Sequence, residues 1–442
     1  MGLRERVVLL SAGRGAFAAP FTSPRFVYWG KTLGKFVSVQ LVVQAVGVAS
    51  GILLVRSLSQ QEYAYFTLAF AMQSTMNILA DSGVSIGLTS IGGRVWNDPG
   101  RFGQLVNTAM RVRRHLAVAA ALVVTPLLLW LLVGKGAGLS YAALLALLVL
   151  LGLNWQLSTG VLMVVPRMCK QIGRVQRLDL AASLSRLALL VVAYFVFLNA
   201  AVATFAALCS MFLQFALLRV WVADSIETDA PPSEEDRAAI GRIIKNEAPN
   251  SVFYCVQGQM SVWLVALFGN AQKVAEVGAL GRLSVVFTVV GAVMTSIVLP
   301  GFARCQEPRR LLRLYLQIVG CFCLLGASLV ALAALFPDQM LWVLGAKYAH
   351  LQSELVLMMC LSAATAVVGA MWSLNTTRAW IRYSWLNIPG TLLIQAVLLA
   401  VLNVSEINKV LWFGILSLIP TITLNIILTV RGLGEARAYA HP

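Results

Sequence analysis

The chain has 442 residues, 59% of them hydrophobic and 12% charged, with a net charge of +16 and a mean hydropathy of +0.81. Soluble domains are near half apolar and a quarter charged, so a water-soluble fold is excluded: it could not hide this much apolar surface. The positive charge sits in short segments between apolar runs, which argues against nucleic acid as a partner and for a chain whose solvent is lipid.

Residues 1–32 carry Arg4, Arg6, Arg14 and Arg25 against the single acid Glu5, and the apolar stretch at 7–10 is too short for a secretory signal. They read as a cytoplasmic tail, although an organelle transit peptide shares this arginine-rich, acid-poor make-up. Twelve apolar runs follow, at 33–55, 63–91, 115–133, 139–165, 178–198, 200–222, 247–268, 276–300, 311–335, 350–374, 383–402 and 410–430. Each is long enough to cross a hydrocarbon core of about 30 Å as a helix. The expected fold is therefore all-α: a polytopic membrane protein of about 12 transmembrane helices in two six-helix halves, 33–222 and 247–430. The polar segment 223–246 links the halves, and 431–442 form a second tail. Alternate loops and both tails collect 27 of the 34 Lys and Arg residues, the other loops only five. Cytoplasmic loops collect such cations, which places both termini in the cytoplasm and the chain in the inner (plasma) membrane.

Polar side chains inside the runs carry the functional information, because a charge at the bilayer centre costs about 2.5–3.5 kcal/mol and so faces a cavity or a partner. Span 1 has Gln40 and Gln44 one turn apart, then Gly47 and Gly51. Span 2 has Gln73, Asn77 and Asp81 at i, i+4 and i+8, one helical face, then Gly83 and Gly87. Both glycine pairs have the GxxxG spacing of close helix packing. Asp81 is the candidate ion-coupling residue, since a carboxyl in low dielectric can carry a proton or bind Na⁺; pairing with a cation is the alternative. The basic stretch Arg94 to Arg114 reads as an interfacial segment that anchors the chain or holds anionic lipid headgroups. Span 5 carries Asp179, Ser183 and Arg186 at i, i+4 and i+7; Arg186 can serve structure alone, paired with Asp179 or with Asp81. Span 7 adds Asn250, Tyr254 and Gln257. Span 8 places Arg282 roughly 9 Å inside its boundary, lining a cavity or snorkelling outward.

No nucleotide loop, nucleophile elbow or His/Cys metal set appears, so neither an enzyme nor a cofactor is expected, and the seven cysteines are expected to be free. An ion gradient, the membrane potential or substrate consumption remains as driving force. Gln61-Glu62-Tyr63-Ala64 at the start of span 2 is answered by Ala275-Glu276-Val277-Gly278 at the start of span 8, a weak repeat implying a pseudo-twofold along the membrane normal.

The stretch Gly51-Ile-Leu-Leu-Val-Arg56-Ser-Leu58, then Glu62-Tyr63-Ala64-Tyr65-Phe66, then Asp81-Ser-Gly83 to Gly87-Leu88 and a basic turn at Arg94, resembles the polysaccharide (O-antigen) flippase family of the multidrug/oligosaccharidyl-lipid/polysaccharide exporter superfamily. Ala64 stands where that family usually has glycine. The resemblance implies movement of polyprenyl-linked saccharides by alternating access of two lobes, with spans 1, 2, 7 and 8 around a central cavity. Gln40, Gln44, Gln73, Asn77, Asp81, Gln257 and Arg282 then fall on cavity-facing spans, and Arg282 becomes the phosphate candidate. It also implies a polysaccharide polymerase and glycosyltransferases as partners in the same pathway. Such relatives often carry arginines in spans 1 and 2 as well; this chain has only Arg56, at the outer end of span 1.

Overall fold

The structure is a computed structural model that describes residues 24–169, 171–227, 230–294, 298–299, 302, 307–378, 380, 383–402, 404 and 406–438. The expected tail up to residue 23 lies outside the described residues. Helices are the only regular elements among those described, apart from short 3-10 turns. In chain order they are α1 (Pro24–Ser57), α2 (Gln60–Asp81), α3 (Val84–Val95), α4 (Pro99–Gly134), α5 (Leu139–Leu162), α6 (Val164–Met168), α7 (Ile172–Val196) and α8 (Ala200–Ala223). After the linker come α9 (Glu234–Phe268), α10 (Ala271–Leu283), α11 (Val285–Val293), α12 (Pro308–Leu335), α13 (Pro337–Leu344), α14 (Gln352–Thr377), α15 (Asn387–Val401), α16 (Ile407–Leu416) and α17 (Ile419–Ala438).

Among the described residues, eleven helical segments are long and apolar enough to cross a membrane. The exception among the twelve expected spans is the second, which is α2 and α3. Its polarity has a physical reason: α2 packs against α4, α5, α8, α9 and α10, and 13 of its 22 residues are buried. A helix surrounded by protein need not satisfy lipid. The chain breaks between α2 and α3 at Ser82 and Gly83, both with positive φ (29° and 101°), a conformation that glycine adopts without a Cβ clash. On the periphery the reverse holds: Leu122, Val123, Phe195, Val196, Leu335 and Val401 are each more than 70% exposed. Together they form an apolar surface suited to hydrocarbon rather than water.

Several boundaries differ from the sequence expectation: α1 begins at Pro24 rather than 33, and α17 runs to Ala438, into the segment expected as a tail. The third span starts at Pro99 rather than 115, because Asp98 Oδ1 accepts from the amides of Gly100 (3.0 Å) and Arg101 (3.1 Å) and Pro99 fills the first helical position. The linker 223–246 is not all loop: Ser233 caps α9, whose first turn carries Glu234, Glu235 and Asp236 at its positive dipole end. This early part of α9 docks on the first half, where Asp236 accepts a bidentate pair from Arg101 and Ile240 packs against Gly87.

Loops assigned to one side of the membrane do meet at one end. Arg56 donates to the carbonyls of Val343 (3.0 Å) and Trp342 (2.5 Å), Lys347 Nζ donates to the carbonyls of Arg56 (3.1 Å) and Leu58 (2.6 Å), and Lys135 donates to the carbonyl of Gly269. At this end a single apolar core joins Leu54, Tyr63 and Leu68 of the first half to Val274, Leu280 and Tyr348 of the second. At the linker end there are two separate cores instead, one around Leu88, Phe102 and Leu218, the other around Leu311, Tyr315 and Leu374. The two lobes are therefore fused at the Arg56 end, whereas at the linker end, where the start of α9 bridges to the first half, their apolar cores are separate among the described residues.

Candidate functional site at the lobe interface

The two copies of the sequence repeat touch where the lobes fuse. Tyr63 donates its hydroxyl to the carbonyl of Gly278 (3.2 Å), and a Cβ on Gly278 would lie 2.6 Å from Thr67 Oγ1, so only glycine lets α10 approach α2 this closely. The repeated acids have matching duties. Glu62 accepts from Tyr141 at the start of span 4 (2.6 Å) and from the amide of Ala200 at the start of span 6 (2.7 Å). Glu276 meets His350 Nε2 at the start of span 10 (3.0 Å) and accepts from Gln272 (2.7 Å).

Arg282 lies one turn beyond this contact, in the last turn of α10, where the negative end of the helix dipole favours a cation. Its Nε donates to Tyr63 Oη at 3.2 Å and its guanidinium lies 5.9 Å from the centre of the Phe70 ring. Its stem passes over α1 at Gly51, where a Cβ would stand 3.2 Å from Cδ. Gly51 thus makes room for a side chain rather than for a helix, while Gly47 faces open space. Tyr63, Phe66 and Phe70, at i, i+3 and i+7 of α2, form an aromatic row with successive ring centres 6.3 Å apart, and Phe70 at its end is 42% exposed. Arg186 of α7 is close enough for its charge to oppose that of Arg282, and its buried Nε has no hydrogen-bond partner among the described residues. Neither arginine forms an ion pair among the described residues.

The remaining candidates are placed elsewhere. Asp81 Oδ1 accepts from Ser85 Oγ (2.6 Å) and stands 3.6 Å from Arg113 Nη2, which also donates to Asn77 Oδ1 (3.1 Å). Arg113 is 4% exposed, its Nε and Nη1 have no hydrogen-bond partner among the described residues, and Gly160 leaves the space for it: a Cβ there would lie 2.5 Å from Nη1. Gln73 points into the first lobe, 3.6 Å from Met211 Sδ. Asp179 accepts from Gln214 (3.3 Å) and is not bonded to Arg186. Gln257 and Gln395 exchange two hydrogen bonds, at 3.0 and 2.7 Å, inside the second lobe. Gln40 and Gln44 are half-buried, with no hydrogen bond among the described residues. Sequence reasoning missed Arg113, which it assigned to an interfacial loop; the Asp98-Pro99 cap was the signal that the helix begins early and carries Arg113 on its buried face. No group of three or more His, Cys, Asp or Glu residues could hold a metal ion among the described residues.

No family model matches the chain and no characterised protein matches it in sequence. Solved structures do. An inward-facing multidrug resistance MATE family transporter of the MOP superfamily superposes with a TM-score of 0.67 at 16% identity, over 91% of this chain and 99% of that one. The fold is that of the MATE transporters. A MOP superfamily transporter from Pyrococcus furiosus, described as having a binding pocket of reverse polarity that suggests a different function, gives 0.56 at 16% identity over 92% and 95%. An outward-facing multidrug resistance MATE family transporter gives 0.52 at 16% identity, over 91% and 93%. In this MATE-type fold Arg282 and the aromatic row of α2 stand between the two lobes, and Asp81 with Arg113 stands between α2 and α4 of the first lobe.

Proposed function

We propose that the chain is a flippase that moves polyprenyl-linked oligosaccharide or polysaccharide precursors from the cytoplasmic to the outer leaflet by alternating access, in cell-surface polysaccharide biosynthesis. The observation that supports this reading is the cationic pair at the lobe interface: Arg186 and Arg282, one from each lobe, near each other and without a carboxylate among the described residues. Moving a bare anionic headgroup into hydrocarbon costs tens of kcal/mol by Born reasoning, whereas guanidinium groups and a Tyr hydroxyl can replace its water at much smaller cost. A transporter of cationic drugs calls for the opposite polarity.

In this mechanism the linker end faces the cytoplasm, the side to which the basic loops are assigned, and the apolar cores of the lobes are separate there. The phosphate-bearing headgroup enters between the lobes, Arg282 and Arg186 hold it, and the polyprenyl tail stays in lipid. Rocking of the lobes then breaks the Arg56–Trp342–Lys347 contacts and opens the other side. Glycosyltransferases supply the substrate and a polymerase consumes it. Asp81, held by Arg113 and Ser85, serves as the first lobe's electrostatic anchor.

The experiment is leaflet redistribution of a fluorescent undecaprenyl-pyrophosphate-oligosaccharide in liposomes carrying the purified protein. Wild type is expected to redistribute it, and Arg282→Ala or Arg186→Ala to lose at least tenfold in rate. The similarity to multidrug transporters favours a second reading, an ion-coupled drug antiporter. Efflux of a cationic dye driven by a proton or Na⁺ gradient, with no redistribution of the lipid-linked sugar, would establish that reading instead.

A further inference from the structure

Away from the lobe interface, a cavity of about 490 Å³ opens on the flank of the first lobe at the linker end, between α4, α5, α8 and the start of the linker. Three arginines line it: Arg111 and Arg114, one turn apart on α4, and Arg219 near the end of α8. Among the described residues no acid lines it, and none of the three arginines forms an ion pair. The rest of the wall is largely apolar, with Met110, Leu162 and Phe215. Like charges gathered around one hollow repel each other, and an anion that enters removes that repulsion while gaining charge-assisted hydrogen bonds.

The helical register places this hollow at a definite depth. On α4 the face that carries Arg111 and Arg114 continues through Val118 (61% exposed) and Leu122 (72%), each a turn further on. On α8 Phe205 and Phe212, 53% and 50% exposed, precede Arg219 at successive seven-residue steps, so the three share one face. Both lipid-facing stripes thus end in arginine beside the same cavity. That is the position of the headgroup layer, where hydrocarbon gives way to charge.

We propose that this cavity is a binding site for the phosphate headgroup of an anionic phospholipid of the leaflet at the linker end, with Arg111, Arg114 and Arg219 on the phosphate and Phe215 and Leu162 against the first acyl carbons. The site is separate from Arg186 and Arg282 and does not depend on what the protein transports.

The test is native mass spectrometry of the full chain released from mixed micelles of phosphatidylglycerol and phosphatidylcholine, with thermal melting in detergent as a second readout. Wild type is expected to retain phosphatidylglycerol at least tenfold over phosphatidylcholine and to melt higher in its presence. Arg111→Gln/Arg114→Gln/Arg219→Gln is expected to lose that preference, and Arg242→Gln/Lys245→Gln, exposed cations on α9, to keep it. Equal retention of the two lipids by wild type overturns the proposal whether or not the triple variant folds. Inorganic phosphate or pyrophosphate that stabilises wild type as strongly as the lipid, and displaces it, overturns the lipid assignment in favour of a soluble anion. Loss of the preference in the Arg242/Lys245 variant as well would reduce the effect to general surface charge and overturn the site.

Discussion

Arg113 shows how much a single residue can depend on its neighbours. Its guanidinium is buried, shares Asp81 and Asn77, and occupies the space that Gly160 vacates. Asp81→Asn removes the only charge opposite it among the described residues, and because the Asp81 side chain is itself 31% exposed the cost is partly screened. The expected loss is about 1–3 kcal/mol, the range for a buried polar group deprived of a partner, read as a lower melting temperature with transport per folded molecule retained. A fall in transport without a fall in melting temperature would instead make Asp81 a coupling residue. Gly160→Ala is expected to destabilise by a similar amount, about 1–3 kcal/mol, since its methyl group displaces the guanidinium. Tyr348→Phe should behave in the opposite way. The Tyr348 hydroxyl is buried without a hydrogen-bond partner among the described residues, and desolvation, with Tyr63 and Glu276 nearby, raises its pKa and keeps it protonated. Removing it is expected to leave the melting temperature unchanged or to raise it, because no hydrogen bond is lost.

Among the elements, α2 combines a polar face with a central position, and these facts have one cause: five other helices pack around it. The i, i+4, i+8 spacing of Gln73, Asn77 and Asp81 made its non-lipid face legible in the sequence. Periodicity could not tell which partner each side chain would find, since Gln73 meets α8 and Asn77 meets Arg113 of α4, contacts that depend on how separate helices cross. The pairing of α2 with α10 turns on Gly278, whose hydrogen atom faces Thr67. Gly278→Ala is expected to push the two helices apart, lower the melting temperature by several degrees and weaken the Tyr63 hydrogen bond, and Gly278→Ala/Thr67→Ala to recover part of the loss. A double-mutant cycle of melting temperatures measures that coupling. Additive effects of the two substitutions would rule out the close contact.

For the whole molecule, the fused end defines which contacts a conformational change must break. Arg56 and Lys347 bind backbone carbonyls across the lobes, and Arg56 also lies over Trp342, 4.8 Å from the ring centre. Arg56→Ala/Lys347→Ala is expected to favour opening at that end. Spin labels at Leu139→Cys and Phe336→Cys, in a background without native cysteines, should then show a longer population in pulsed dipolar distance distributions. An unchanged distribution would mean that the apolar core around Leu54, Tyr63 and Tyr348 holds the end shut without the clasp.

The sequence by itself determined the solvent, the helical class, the approximate positions of the spans and the alternation of basic loops. These follow from local quantities: apolar length against bilayer thickness, and charge on either side of each run. It also marked Arg282 and Arg186 as charges that needed a reason to be inside. Only the tertiary structure decided what that reason could be. It brought Arg282 over Gly51 and beside Tyr63, set Arg186 near it, gave Asp179 to Gln214 and Asp81 to Arg113, and turned Gln257 toward Gln395. Each of these pairings joins residues from different helices, and the crossing of two helices is set by the packing of all the others, which no periodicity along one chain segment contains.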